Sequence, residues 1–454
     1  MRRPELEERE KNREERVADL KKALEELNAK YLVLEIEKAL VEDELDQRQS
    51  DTLQMLGEGI SCVLTGLAYG AMLVATGSMQ SKSHSKMGSC SVDRERLEMF
   101  EVGPCKDAFE MGLLIGQRFS KLIRSRVARD LILQNHLRPF ALAQTPRSES
   151  LLKALFDSNK SKFPRHWDEL LGTAAGSCVP LLDILLINFR KEILAFIPKE
   201  GAKSASVDTS DDCSDVAVVG ESMAIVAHNE DANVALVGHT YLIKGILPDG
   251  HFFVGYTYAG ELPSCAFGFN SHGLAFTLDS VPPAENEIVA GGIGRNFISR
   301  DLLEASSMDD ALSRIQSSEV SLGHSYNLIE TKTRRIFNVE TASRKRISVY
   351  EVGEIPFFHA NMYLHLPINQ VHDENSISRQ KRASVLTKNS KGDFLSLLGD
   401  MDDKNYPIYM TGPLLHTLCT ALIDLDKQTL SIIEGNPKKG DVSYVFSISP
   451  QKSP

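Results

Sequence analysis

Cys213 is the residue in this sequence best placed to act as a nucleophile. It follows the acidic run Ser210-Asp211-Asp212 and precedes the apolar run Val216-Ala217-Val218-Val219, so it stands at the start of an expected strand. A core thiol is seldom set behind an exposed acidic loop. Eighteen residues further on comes Asp231, the last member of His228-Asn229-Glu230-Asp231, after a second apolar run, Met223-Ala224-Ile225-Val226-Ala227. Two short strands with a turn at Gly220-Glu221-Ser222 would bring Asp231 back beside Cys213. A free thiol is mostly protonated at neutral pH and needs a base within reach. Cleavage of the Asp212–Cys213 bond would give it one, its own α-amine, whose reference pKa of about 7.7–8 suits the task. The thiolate would attack an amide or thioester carbonyl, and water or an amine would resolve the acyl-enzyme. The same thiol would first have to attack the carbonyl before it in an N-to-S acyl shift. In the competing reading Cys213 is a buried structural thiol and the chain stays whole. The protein is then a membrane-tethered coiled-coil scaffold carrying a degenerate enzyme domain.

The spacing of Cys213 and Asn229-Glu230-Asp231 is followed by Gly268-Phe269-Asn270-Ser271-His272-Gly273-Leu274-Ala275 and then by His359-Ala360-Asn361. In that order these motifs resemble the isopenicillin N (acyl-CoA:6-aminopenicillanic acid) acyltransferase family of cysteine N-terminal nucleophile (Ntn) hydrolases, from about Met99 to the C-terminus. The resemblance implies an α+β fold, an αββα sandwich of two packed antiparallel sheets flanked by helices. It implies a helical pro-segment over 93–212, cut from a catalytic chain over 213–454, and a small amide or acyl-CoA as substrate. By the same resemblance Asp231 orients the α-ammonium, Asn361 donates to the oxyanion, and Tyr258 lies at a strand end beside the acyl pocket. His228 stands where related bile-salt and penicillin V amidases carry a substrate-side Arg. Asp212 replaces the usual Gly before the nucleophile; an acid there either slows cleavage or protonates the leaving amine. No Arg appears near Pro413-Leu414, where the penicillin acyltransferase has one. Both missing arginines argue against β-lactam or bile-salt substrates and leave the thiol chemistry untouched.

These residues need a scaffold, and 454 residues with 42% hydrophobic side chains supply two or three units with a large core. A net charge of −11 leaves no basic footprint for phosphates, which excludes general nucleic-acid binding. The seven cysteines are odd in number and lack C-x-x-C or His spacing, so they read as reduced intracellular thiols with neither disulfides nor a zinc site. His228, His272, His359 and His365 likewise lack paired ligand spacing, and no cofactor is expected. Residues 1–16 are too densely charged for a signal peptide, which points to a cytoplasmic protein.

In chain order, residues 1–50 carry a heptad seam through Val17, Leu20, Leu24, Leu27, Tyr31, Leu34, Val41 and Leu45, the pattern of a homo-oligomeric coiled coil. A single solvated helix packed on its own domain is the alternative. Within 51–92, residues 60–79 are uncharged and long enough to cross a bilayer, with a buried helical hairpin as the other reading. If they span it, the basic residues after them place the catalytic side in the cytosol. Residues 80–92 form a linker containing Met87, an alternative start. Residues 99–200 show helical periodicity. Beyond Cys213 the pattern changes to short strands, with a hairpin turn at Pro248-Asp249-Gly250 and helices over 294–305, 308–316, 376–388 and 410–418.

Overall fold

Alternating apolar residues beyond Cys213 give each strand one face for a neighbouring sheet and one for a layer of helices. The computed structural model describes residues 97–197, 212–263 and 266–451; the expectations for residues 1–50 and 60–79 fall outside these. Among the described residues, fourteen strands form two sheets. The larger runs β1 (Glu98–Val102), β4 (Thr240–Ile246), β5 (Phe252–Tyr258), β6 (Phe267–Asn270), β7 (Leu274–Ser280), β8 (His324–Glu330), β9 (Arg335–Ala342) and β10 (Arg346–Glu351). The smaller runs β11 (Phe357–Ala360), β2 (Cys213–Val219), β3 (Ala224–Asn233), β12 (Leu415–Asp424), β13 (Thr429–Glu434) and β14 (Asp441–Ser447). All pairings are antiparallel except that of β1 with β4.

The inner faces of the sheets meet in one core: Ala217, Val226, Ala421 and Ile432 from the smaller sheet against Val254, Tyr256, Phe267, Phe269 and Ile329 from the larger. Burying a Val, Ile or Phe contributes about 1.5–3 kcal/mol, so this face holds the sandwich together. The opposite face of β2 and β3, through Val216, Val218, Ile225 and Ala227, packs on helices Glu374–Val385 and Lys391–Leu398. Each of these helices starts at a capping side chain. Asp373 accepts from the Ser376 N–H at 2.9 Å and Ser390 from the Asp393 N–H at 3.1 Å, each satisfying an otherwise orphaned donor. Helices Arg295–Leu302 and Met308–Gln316 cover the outer face of the larger sheet, where Arg300 lies over the Phe253 ring at 4.3 Å. The expected αββα sandwich is present.

The segment before the nucleophile is part of this sandwich. Its helices Ala108–Arg118 and Pro164–Ser177 touch through Gly112, Gly116, Gly172 and Gly176, four residues apart in each helix. A Cβ at Gly172 would lie 2.1 Å from the Phe109 carbonyl oxygen. Only glycine permits that approach. Residues 98–102 form a strand, although helical periodicity was expected from residue 99, because β4 supplies hydrogen-bonding partners distant in sequence.

Both expected hairpin turns are present. The Gly220 N–H donates to the Met223 carbonyl at 2.9 Å, and Gly250, with φ of 86°, closes Pro248-Asp249-Gly250 by donating to the Leu247 carbonyl. The helix expected over 410–418 is absent. Its apolar run is instead the bend before β12 and the start of that strand, paired with β3. A short apolar run fits either element, and here the neighbouring strand decides. Among the described residues, no helix is long and apolar enough to cross a membrane.

Candidate active site

Antiparallel pairing of β2 and β3 sets Cys213 opposite Glu230 and Asp215 opposite His228. Directly opposed residues share a face, so these four side chains point the same way, into the space between the sheets. On the other side of β2, β11 sets His359 opposite Asp215 and Ala360 opposite Ser214. Asn361 therefore comes next to Cys213, although 148 residues separate them in sequence.

The Cys213 backbone N–H donates to Asn361 Oδ1 at 2.8 Å. Arg379 Nη2 donates to the same oxygen at 2.9 Å, which fixes the orientation of the amide, since two donors need an acceptor. Asn361 Nδ2 donates to the Ser280 carbonyl at 2.9 Å. One N–H of the group expected to meet an oxyanion thus faces Ser280 in this form.

Arg379 was not anticipated. It comes from the Glu374–Val385 helix and is fully buried. Its guanidinium donates to the Cys213 carbonyl at 2.5 Å and to Ser214 Oγ at 2.9 Å, and it lies 3.7 Å from Asp212 Oδ1. Asn375, one turn earlier, donates to Asp212 Oδ2 at 2.5 Å. Arg379 and Asn375 together grip both residues of the Asp212–Cys213 junction. The sequence signal was Arg379 on the helix expected over 376–388, with Asn375 just before it, which says nothing about the partners they meet.

The Cys213 thiol is 3% exposed and donates to Glu230 Oε2 at 3.6 Å. Burial, then the charges of Glu230, Asp279 and Asp231, push it well above the usual thiol range, while the Asp231 backbone N–H offsets part of this. The neutral thiol is therefore favoured over the thiolate in this structure.

Asp231 points to the other face of β3. Its Oδ1 accepts from the Thr417 hydroxyl, and its Oδ2 is buried without a hydrogen-bond partner. Burial pushes this carboxyl up to about 8 despite Thr417 and the Arg379 charge. Asn229, its neighbour in the motif, donates to the Leu398 and Ile408 carbonyls and accepts from Thr420 Oγ1, so it ties a helix end to the sheet. Asn270 similarly binds the Leu303 and Ala305 carbonyls and the backbone of its own hairpin. The Gly268–Ala275 motif is therefore scaffold.

Tyr258, at the end of β5, is buried and donates its hydroxyl to Glu230 Oε1. His228 is fully buried between Asp215 Oδ2 at 3.1 Å and Glu230 Oε2 at 3.0 Å, with no exposed ring atom for a substrate. Burial pulls its imidazole down, but Asp215 and Glu230 outweigh that and hold it well above its ordinary range. Asp215 accepts from Thr277 Oγ1 at 2.8 Å. Beyond it Asp279, pushed up by burial and by the Asp215 charge, lies 3.0 Å from His359 Nδ1. Cys213, His228 and Glu230 bring three metal-ligating atoms within 4.8 Å of one another, as do Asp215, His228 and Asp279. An imidazolium between carboxylates accounts for both groups.

The profile of the family described as acyl-coenzyme A:6-aminopenicillanic acid acyl-transferase matches residues 218–439. Among curated proteins, the β-alanyl-dopamine/carcinine hydrolase of Drosophila melanogaster is 25% identical over 360 residues, 73% of this chain and 91% of that protein. Among solved structures, a mutant of the conjugated bile acid hydrolase from Clostridium perfringens aligns with a TM-score of 0.32 at 12% identity, covering 52% of this chain and 97% of that one. Penicillin V acylase from Agrobacterium tumefaciens gives 0.29 at 13% identity, covering 51% and 84%.

Proposed function

We propose, from the premise that this chain belongs to the acyl-coenzyme A:6-aminopenicillanic acid acyltransferase family, that it is a self-processing amide hydrolase of small N-acyl amines. An Ntn-type amide hydrolase or acyltransferase is the general activity that membership carries. The finer reading rests on the Asp212–Cys213 junction, whose two residues are held by Asn361, Arg379 and Asn375 at the start of a strand.

After cleavage the Cys213 nitrogen becomes an amine beside Asn361 Oδ1, free to take the thiol's proton. A cation at that nitrogen would give the Asp231 carboxyl a partner and favour its charged form. The thiolate then attacks the substrate carbonyl, the amine product leaves, and water hydrolyses the thioester. Asn361 supplies an N–H to the oxyanion, and Tyr258 donates to Glu230 next to the thiol. Likeness to the carcinine hydrolase suggests N-β-alanyl amines as substrates, with acyl transfer from acyl-CoA as the family's other activity.

Intact mass of purified protein tests this reading. A fragment beginning at Cys213 is expected, with Cys213→Ala remaining one chain. The cut enzyme should hydrolyse carcinine and N-β-alanyl-dopamine. A wild type that stays whole yet hydrolyses amides refutes the α-amine mechanism. A cut enzyme inert toward both amides refutes the substrate class.

A further inference from the structure

The α-amine cannot act in the step that creates it, because until the bond is cut that nitrogen is an amide. Some other group must accept the thiol's proton during self-cleavage. The thiol is buried, held well above its usual range by burial and the neighbouring carboxylates, and donates to Glu230 Oε2 at 3.6 Å. Glu230 is itself only 2% exposed and is held from several sides. Tyr258 donates to Oε1, and His228 Nε2 lies 3.0 Å from Oε2. His228 is in turn held by Asp215 at 3.1 Å, and Asp215 by Thr277 at 2.8 Å. The strand register fixes this row, with Glu230 across from Cys213 and His228 across from Asp215.

We propose that Glu230 is the general base of self-cleavage, with His228 and Asp215 as positioning residues that hold its carboxylate against the Cys213 sulfur. This rests on the self-processing reading above. As Sγ bonds to the Asp212 carbonyl carbon, the thiol proton passes to Glu230 Oε2. The C–N bond then breaks, and the lent proton ends on the departing nitrogen. The shift is therefore an isomerisation: one C–S bond forms, one C–N bond breaks, and neither protons nor electrons are gained or lost. Water then hydrolyses the thioester to the Asp212 carboxylate and the Cys213 thiol. Glu230 thus has a task that ends when the amine appears.

The test follows cleavage of the full-length chain after synthesis by denaturing electrophoresis and mass. Wild type must convert to the Cys213 fragment; if it stays whole, the self-processing reading falls first, whatever Glu230 does. With a cleaving wild type, Glu230→Gln should slow conversion about a hundredfold, the scale of lost general-base catalysis. Glu230→Asp keeps a carboxylate at a longer reach and should fall between the two. If the Gln variant fails to fold, the Asp variant decides, and a wild-type rate in it overturns the proposal. Equal loss in both, with both folded by circular dichroism, also overturns it, because shape and not the carboxylate would then matter. His228→Gln should slow cleavage where Glu230 is present and add nothing in the Glu230→Gln background. Independent, additive losses would overturn the positioning role.

Discussion

Replacing Arg379 by Ala removes a buried guanidinium that contacts both residues of the Asp212–Cys213 junction. It would leave the Cys213 carbonyl, Ser214 Oγ and Asn361 Oδ1 without the donors now at 2.5, 2.9 and 2.9 Å. It would also take away the guanidinium that lies 3.7 Å from the buried Asp212 carboxylate. Breaking a buried ion pair from one side costs about 3–5 kcal/mol, because the remaining charge stays desolvated. At about 2 °C per kcal/mol for a unit of this size, the melting temperature should fall by about 6–10 °C. The assay uses the Cys213→Ala background, which keeps every sample a single chain, with melting followed by calorimetry. In the cleavable background, Arg379→Ala should also slow conversion, since the junction loses its grip. Arg379→Lys keeps a charge near Asp212 but lacks the planar fork that reaches several acceptors at once, so it should recover only part of either loss. An Arg379→Ala protein that melts within about 1 °C of its parent, well short of the shift expected for a broken buried pair, and converts at the parental rate would refute this account of the site.

Asn361→Asp keeps the acceptor for the Cys213 N–H and removes the amide donor, so steady-state kinetics of the cleaved protein should show kcat lower by about a hundredfold with KM little changed. Asn361→Ala should in addition destabilise the protein, by about 1–3 kcal/mol for each buried group left unpartnered, as read by denaturant unfolding. Asp231 carries a native value raised to about 8 by burial, so between the unfolded carboxyl's range and pH 8 the folded state holds a proton that the unfolded state lacks. Stability from this residue is present at low pH and lost as pH rises toward 8; Asp231→Asn in the Cys213→Ala background should flatten that slope in melting curves from about pH 5 to 8. Gly172→Ala would drive a methyl to 2.1 Å from the Phe109 carbonyl and should cost about 1–3 kcal/mol, seen as a lower melting temperature. Residues 1–86 we propose to be dispensable for chemistry and responsible for oligomerisation: a chain starting at Met87 should cleave and turn over normally yet scatter light as a smaller species.

The sequence alone carried the order and spacing of Cys213, Asp231 and Asn361. A turn at Gly220-Glu221-Ser222 was enough to fold β3 back on β2, because antiparallel register follows from a short loop and a period of two. That same alternation held a further signal: Cys213 and Asp215 on one strand, Glu230 and His228 on the next, each pair two residues apart. Once the register is known, the four must share a face, although no spacing along the chain marks them as partners. Arg379 was not legible, because a helix reports only its own periodicity, and which buried atoms its cation meets depends on a helix laid across a sheet whose strands lie 166 residues away. For the same reason the apolar run near Leu415 read as a helix and became a strand, and Glu98–Val102 became the parallel edge partner of β4. Local pattern fixes which face of a segment is apolar. The identity of the neighbour that covers it, and hence each buried charge's environment, is settled only when segments distant in sequence pack together.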